Sequence, residues 1–394
     1  MNIKKIGLLP RIIIAITLGL LLGMVFPAVV VRVFVTFNSL FASFLFFCIP
    51  LIIVGLVAPG IADLGKSAGR LLVITTLIAY GSTLFSGFFT YFTCRVVFPL
   101  LIEPTGATLT AVDNPDASLM TPFFAIEMTP VFGVMTALVL AFILGIGIAV
   151  VDGKVLKSAL TEVKSIIERI ISAIIVPLLP IFIFGIFLNM SHSGTAFTIV
   201  KVFSKIIGVI FVLHILLLLI QYTVAGIVAK RNPYPLLYKM LPAYMTALGT
   251  SSSAATIPVT LRQVKKFGIR DDIVEFCIPF CATIHLAGST MKIVAMALAI
   301  CILTGLQFNI GIYFGFIMML GIIMVAAPGV PGGAIMAAIG VLQTMLGFDE
   351  IAIGLITALY IAIDSFGTAC NVTGDGAIVV VIDKIAKKET KSNE

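Results

Sequence analysis

Long apolar runs alternate along the chain with short clusters of charge. A membrane-crossing helix needs about 20 mainly apolar residues, and runs near 10–28, 34–60, 71–101, 122–151, 165–191 and 199–228 meet that need. After 228 the pattern changes. The stretch 234–268 is interrupted by a serine-rich tract, and 271–305 reads as a long helix broken near its middle. The stretch 309–346 is cut by Pro328, Gly329, Pro331, Gly332 and Gly333, and the last segment, 351–384, carries Asp364, Asn371 and Asp375 inside apolar surroundings.

Basic residues orient these segments, because cytoplasmic loops collect Lys and Arg. Lys4, Lys5 and Arg11 precede the first span, Lys66 and Arg70 follow the second, Lys154, Lys157 and Lys164 the fourth, and Lys230, Arg231 and Lys239 the sixth. Lys384, Lys387, Lys388 and Lys391 close the chain. No Lys or Arg lies between Arg95 and Lys154, a gap holding Glu103, Asp113 and Asp116, nor between Lys292 and Lys384. These facts agree if 234–268, basic at both ends, enters and leaves on the cytoplasmic side, while 309–346 enters and leaves on the opposite side. The expectation is an all-α integral membrane protein with eight transmembrane helices, two re-entrant helical hairpins of opposite orientation, and both termini cytoplasmic. Such an arrangement is the mark of an inverted repeat. Non-helical backbone at membrane depth survives only where protein or a water-filled cavity satisfies it, so two hairpin tips point to a binding site; a channel with re-entrant loops is the rival architecture.

Composition sharpens this. Of 394 residues 60% are hydrophobic and only 11% charged, against about 25% charged in soluble domains. The net charge of +7 is spread over loops, which excludes nucleic acid as its meaning. Cys48, Cys94, Cys277, Cys281, Cys301 and Cys370 fit neither a disulfide framework nor a metal motif, and read as small packing residues. The basic-then-apolar N-terminus shows no small-residue cleavage site and reads as the first transmembrane helix.

The first tip, Thr250-Ser251-Ser252-Ser253-Ala254-Ala255-Thr256-Ile257-Pro258, offers small side chains, hydroxyls and, beside a helix start, free amides suited to a carboxylate. The second, Ala326-Ala327-Pro328-Gly329-Val330-Pro331-Gly332-Gly333, cannot remain helical and is a candidate gate. Ionisable groups inside a membrane are functional candidates. Asp364 and Asp375 are eleven positions apart, about three helical turns and about 16 Å on an unbroken helix, and Thr368 and Asn371 fall on the same face. Asp375 near Asn371 is suited to Na⁺ or a proton; Asp364 is suited to a substrate ammonium, or to a buried pair with Lys292. His285 is a candidate proton carrier, and Lys292, seven positions on, is expected on its helix face. His192 and His214 read as loop and packing residues. No Ser-His-Asp order or zinc spacing supports an enzyme.

Taken together these residues resemble the dicarboxylate/amino-acid:cation symporter family, the glutamate transporters and their prokaryotic homologues. The resemblance runs through nearly the whole chain and is most specific over 248–388. It is carried by Ser251-Ser252-Ser253 with Thr256-Ile257-Pro258-Val259-Thr260, by Gly329-Val330-Pro331-Gly332, and by Thr368-Ala369-Cys370-Asn371-Val372-Thr373-Gly374-Asp375. It implies a homotrimer of elevator type in the cell inner membrane, in contact with lipid and using no cofactor beyond its coupling ion. Segments 1–70 and 102–191 would supply the scaffold; 71–101 and 192–388, with both hairpins, the moving transport domain. It implies substrate contacts from Ser251, Ser252, Ser253, Ser289, Val330, Gly332, Asp364, Gly367, Thr368 and Asn371. It places a sodium ion at the Asp375 carboxylate and the Asn371 backbone oxygen, with Cys281 and His285 beside them.

The departures narrow the substrate. Acidic-substrate members of the family carry Arg where this chain has Gly367, and no Arg occurs in 242–260. A buried substrate carboxylate there would lack its bidentate partner. Retained Asp364 argues for an α-amino group. The expected substrate is therefore a small neutral amino acid, with Gly367 leaving space for a bulky side chain. The family's Asn-Met-Asp-Gly-Thr reads His285-Leu286-Ala287-Gly288-Ser289 here. Ala287 removes one sodium carboxylate, leaving Thr75 as a poor remnant of that site, and Pro328 disturbs the gate's own sodium site. Lys292 is expected to stand in for a lost sodium ion by pairing with Asp364 or Asp375. The expected function is inward symport of a neutral amino acid with Na⁺, favoured over H⁺. The alternatives are a C4-dicarboxylate or other organic-acid symporter using Lys292, and an anion-conducting channel.

Overall fold

The computed structural model describes residues 8–63, 70–102, 120–151, 153–194, 196–306, 309–327 and 332–390. Among them there is no strand. The helices are α1 (Leu8–Gly23), α2 (Ala28–Asp63), α3 (Arg70–Leu101), α4 (Val134–Val151) and α5 (Lys154–Ile170). A π-helical turn, Ile171–Ile175, carries α5 into α6 (Val176–His192). Then come α7 (Ala196–Ala229), α8 (Pro233–Lys239), α9 (Leu241–Thr250), α10 (Ser253–Lys265), α11 (Asp271–Ile284) and α12 (Ala287–Thr304). The chain continues with α13 (Ile310–Val325), α14 (Gly333–Leu346), α15 (Glu350–Ala362) and α16 (Asp364–Thr390). Lys66, the loop with Glu103, Asp113 and Asp116, and the tip residues 328–331, Val330 included, lie outside the described residues.

Six described stretches are long and apolar enough to cross a membrane: Ala28–Pro59, Val73–Leu101, Lys154–His192, Lys201–Ala229, Asp271–Thr304 and Asp364–Ile385. Large apolar side chains such as Leu21, Val25, Leu77, Phe92, Val96, Ile215 and Ile227 are exposed on the outer faces of α1, α3 and α7 and the turn after α1. Aqueous surfaces rarely carry so much apolar area. The chain is a multi-pass membrane protein.

The expected run 122–151 is not one helix. Pro122 and Pro130 supply no backbone N–H, and the chain stays non-helical from 120 to 133. Side chains of α2 and α6 hold its first part. Arg32 Nε donates to the Thr121 carbonyl at 3.0 Å and its guanidinium lies 4.5 Å from the Phe123 ring centre. The Phe123 amide donates to Thr36 Oγ1 at 2.9 Å, and the Met120 amide to Asn189 Oδ1 at 3.2 Å. The expected run 10–28 likewise ends at Gly23, before Pro27, while 165–191 extends back to Lys154 through an amphipathic lead-in with Leu160 and Ile167 buried.

The packing falls into two groups. Helix α2 lies along α4, α5 and α6, and α1 along α6. In the second group α3 packs on α12 and α13, α7 and α9 on α16, and α11 and α12 on α16. Helix α15 touches α12 and α14 on one side and α1 and α6 on the other. Short helices pair as α9 with α10 and as α13 with α14. Side-chain caps start several of them: Ser252 caps α10, Asn309 caps α13 and Asp349 caps α15, each satisfying an amide that the helix cannot. Helix α12 is buried from Ala287 to Leu303, so its polar residues face protein on every side.

Candidate substrate and cation site

Four interruptions of helix meet at one place. They are Ser251-Ser252 between α9 and α10, His285-Leu286 between α11 and α12, the turn before Gly333, and Ile363 between α15 and α16. Each has a local cause. Ser251 sits in left-handed backbone (φ 50), a conformation that costs a non-glycine residue energy and gathers at functional sites. His285 is extended (φ −99, ψ 100). Gly332 takes φ +75 at the start of α14, where glycine pays no steric penalty.

Between these breaks is a cavity enclosing about 30 Å³, lined among others by Ser251, Ser253, Leu286, Ser289, Ala327, Tyr360, Asp364, Thr368 and Asn371. By that measure it holds one or two waters. Most of the expected substrate residues thus converge. Ser252 does not: its hydroxyl turns back to cap α10, accepting from the Ala255 amide at 3.3 Å. Thr368 Oγ1 donates to the Asp364 carbonyl at 3.2 Å. The Asn371 amide is committed to the start of α12. Its Oδ1 accepts from the Gly288 and Ser289 amides at 2.8 and 3.3 Å, and its Nδ2 donates to Ser289 Oγ at 3.1 Å.

Asp364 is engaged at both oxygens. Oδ2 accepts from the Gly332 amide at 2.8 Å, and Oδ1 lies 3.3 Å from Lys292 Nζ. The Lys292 ammonium also reaches the Ile363 and Asp364 carbonyls at 3.2 and 3.4 Å and lies 3.8 Å from the Tyr360 ring centre. Lys292 is only 1% exposed. Its side chain runs through the space beside Gly367, where a Cβ would come within 2.3 Å of Lys292 Cε and 2.5 Å of Nζ. The room expected for a bulky substrate is therefore already filled, and Gly367 is not among the residues lining the cavity.

A second polar cluster lies about three turns further along α16, around Asp375. His285 Nδ1 and Asp375 Oδ1 are 2.9 Å apart, His285 Nε2 is 3.1 Å from Ser82 Oγ, and Gln221 Nε2 donates to Ser82 Oγ at 3.0 Å. A neutral imidazole satisfies the whole chain: Ser82 donates to Nε2, and Nδ1–H donates to the carboxylate. Space for it depends on Gly374, where a Cβ would meet Gln221 Oε1 at 2.7 Å and His285 Cε1 at 2.9 Å. Ser82 and Gln221 also line a mostly apolar cavity of about 350 Å³ between α3, α7 and α16.

This geometry changes several expectations about ions. The Asn371 side chain faces Ser289 while Asp375 faces His285, so only the backbone oxygen of Asn371, the one expected for the ion, is left to it. Cys281 is buried, and its carbonyl accepts from the His285 amide at 2.8 Å. Thr75 meets Cys277 Sγ at 3.7 Å and its own helix carbonyl at Leu71; Ser86, not Thr75, bonds the Ala287 carbonyl, at 2.7 Å. His285 and Lys292 do not share a helix face, because His285 lies in the break. They serve different carboxylates, Asp375 and Asp364. Among the described residues no group of three or more His, Cys, Asp or Glu can hold a metal ion. Sequence reasoning missed Ser82, Ser86, Gln221 and Tyr360. An isolated hydroxyl, amide or phenol in an apolar helix gives no signal until its partner is known.

The described cysteines are all free and buried. His192 Nδ1 meets the Gly23 carbonyl at 3.1 Å, and His214 packs edge-on to Tyr244.

The model of a family described as the sodium:dicarboxylate symporter family matches residues 8–385. A serine/threonine transporter, SstT, of Acinetobacter baylyi is 26% identical over 97% of this chain and 98% of its own length. SstT of Streptococcus suis is 28% identical over 84% and 94%, and SstT of Acinetobacter baumannii 25% identical over 96% and 97%.

Proposed function

The chain belongs to the sodium:dicarboxylate symporter family, and we propose that it imports a small neutral amino acid, serine or threonine first, together with a cation, Na⁺ ahead of H⁺. The carrying observation is the small cavity bounded by Asp364, Ser251, Ser253, Thr368 and Asn371. Asp364 supplies the negative partner for an α-ammonium. The N-terminal end of α10, with the hydroxyls of Ser251 and Ser253, suits the carboxylate. Ser289 and Thr368 offer hydroxyls to a hydroxylated side chain. Lys292 is not among the lining residues, and Gly367 carries no side chain, so a second carboxylate would enter without a counter-charge. That favours serine or threonine over a C4-dicarboxylate, as does the name shared by the relatives.

The cavity has room for only one or two waters. Substrate therefore enters when a hairpin tip moves, and the bond from Gly332 to Asp364 supports reading the second hairpin as the gate. In this reading α1, α2, α4, α5 and α6 form a trimerisation scaffold. Helices α3 and α7 to α16 ride past it as the elevator, with eight crossings, two re-entrant hairpins and cytoplasmic termini in the inner membrane. Asp375, with backbone oxygens near Asn371, Cys281 and His285, is the coupling region.

Equilibrium binding to the purified protein tests the substrate class. Serine and threonine are expected to raise the unfolding temperature in Na⁺ buffer, and aspartate, glutamate and succinate to leave it unchanged. Stabilisation by succinate without serine overturns the reading.

A further inference from the structure

The ammonium of Lys292 has three N–H groups and three oxygens around it: the carbonyls of Ile363 and Asp364 at 3.2 and 3.4 Å and Asp364 Oδ1 at 3.3 Å. The Tyr360 ring covers a further side at 3.8 Å. That is the full donor complement of a charged lysine, with a cation–π contact added. The other oxygen of the same carboxylate, Asp364 Oδ2, accepts from the backbone amide of Gly332 at the end of the second hairpin tip. One carboxylate thus joins an internal cation to the second hairpin. The cation reaches it from the side away from the cavity, along a path open only because residue 367 has no Cβ.

We propose that Lys292 is an internal surrogate for the substrate's ammonium group: with no substrate bound it neutralises Asp364 and lets the second hairpin rest closed on that carboxylate through Gly332. The proposal rests on the reading of Asp364 as the amine partner and goes beyond it. An ionised carboxylate buried without a cation is strongly disfavoured, so an unassisted empty site would draw in water and hold the hairpin open. When a substrate ammonium arrives from the cavity side, Lys292 keeps the carbonyls of Ile363 and Asp364 as partners and cedes its share of the carboxylate. Closed states then exist both with and without substrate, which is what a carrier needs to return empty after release. Lys292 is on this account a positioning residue, and Gly367 is the space that it requires.

The test needs no knowledge of the substrate. A cysteine is placed at Ala334, which lines the cavity from α14, and its modification by a charged methanethiosulfonate is timed in the purified, substrate-free protein. The parent protein, with its buried native cysteines, is the control. The expected rate is slow with Lys292 present and at least tenfold faster in Lys292→Met or Lys292→Gln, the second variant guarding against misfolding of the first. Adding Asp364→Asn to Lys292→Met restores slow labelling, because the neutral amide still accepts from Gly332 and no longer needs a cation. Methylammonium added to Lys292→Met also slows labelling. Equal rates with and without Lys292, or a double variant as fast as Lys292→Met, overturn the proposal. If serine fails to bind while these rates behave as described, the assigned substrate falls and the surrogate stands.

Discussion

Placing a methyl group at position 367 perturbs this structure at its most closely fitted point. In Gly367→Ala the new Cβ would lie 2.3 Å from Lys292 Cε and 3.2 Å from Cδ, whereas carbon atoms pack at about 3.5–4.0 Å. Helix α16 cannot retreat, since α7, α9, α11 and α12 all pack on it, so the lysine must move. Overpacking alone costs about 1–3 kcal/mol. Removing one partner of a buried ion pair costs about 3–5 kcal/mol, and part of that is added as Nζ leaves Asp364. Lys292→Met deletes the ammonium and leaves a flexible side chain, so the methyl group should then be tolerated. The assay is a double-mutant cycle on unfolding in mixed detergent micelles, with Gly367→Ala, Lys292→Met and the pair. The double variant should be more stable than the sum of the single effects by about 1–3 kcal/mol, the coupling seen for residues in contact. Additivity within about 0.5 kcal/mol, or a Gly367→Ala protein as stable as the parent, would refute the threading of Lys292 past Gly367.

Other outcomes follow from the same contacts. Ser82→Ala strips partners from His285 Nε2 and Gln221 Nε2, and a buried polar group left unpaired costs about 1–3 kcal/mol; thermal unfolding should fall, and ion dependence of uptake should weaken. Gly374→Ala forces Gln221 and His285 aside, so uptake should lose its cation dependence while hairpin labelling at position 334 is unchanged. Asn371→Ala frees the Gly288 and Ser289 amides, whereas Asn371→Asp keeps their acceptor; the alanine variant should be the less stable in a melting comparison. Arg32→Ala removes the clamp on residues 121–123, and hydrogen exchange should quicken there with little change around α12.

Asp364, Thr368, Asn371 and Asp375 were legible because polar residues at helical spacing in an apolar segment mark a helix face turned away from lipid. The serine and glycine-proline tracts announced interruptions because proline and glycine chemistry is local. The neighbours of those residues were not legible. Ser82 and Gln221 come from α3 and α7, far away in sequence, and bond each other, with Ser82 on His285, only in the packed fold. Lys292 was visible as an anomaly, yet its pairing with Asp364 and not Asp375 is set by how α12 packs on α16. Gly367 looked like vacant space because a sequence shows a missing side chain and not the neighbour that fills it. The non-helical stretch after residue 120 misled the bounds of the expected run 122–151, since its apolar residues match a membrane helix in composition while Pro122 and Pro130 and the Arg32 contacts set its path.

The most direct measurement is gradient-driven uptake of radiolabelled serine into proteoliposomes holding the purified protein. The account predicts accumulation above equilibration with an inward Na⁺ gradient, none when choline replaces Na⁺, and competition by threonine but not by aspartate or succinate. Accumulation driven only by an inward proton gradient would move the coupling role from Na⁺ to the His285–Asp375 pair. Competition by succinate in place of threonine would contradict the central claim that Asp364, with no basic side chain facing the cavity, selects a small neutral amino acid.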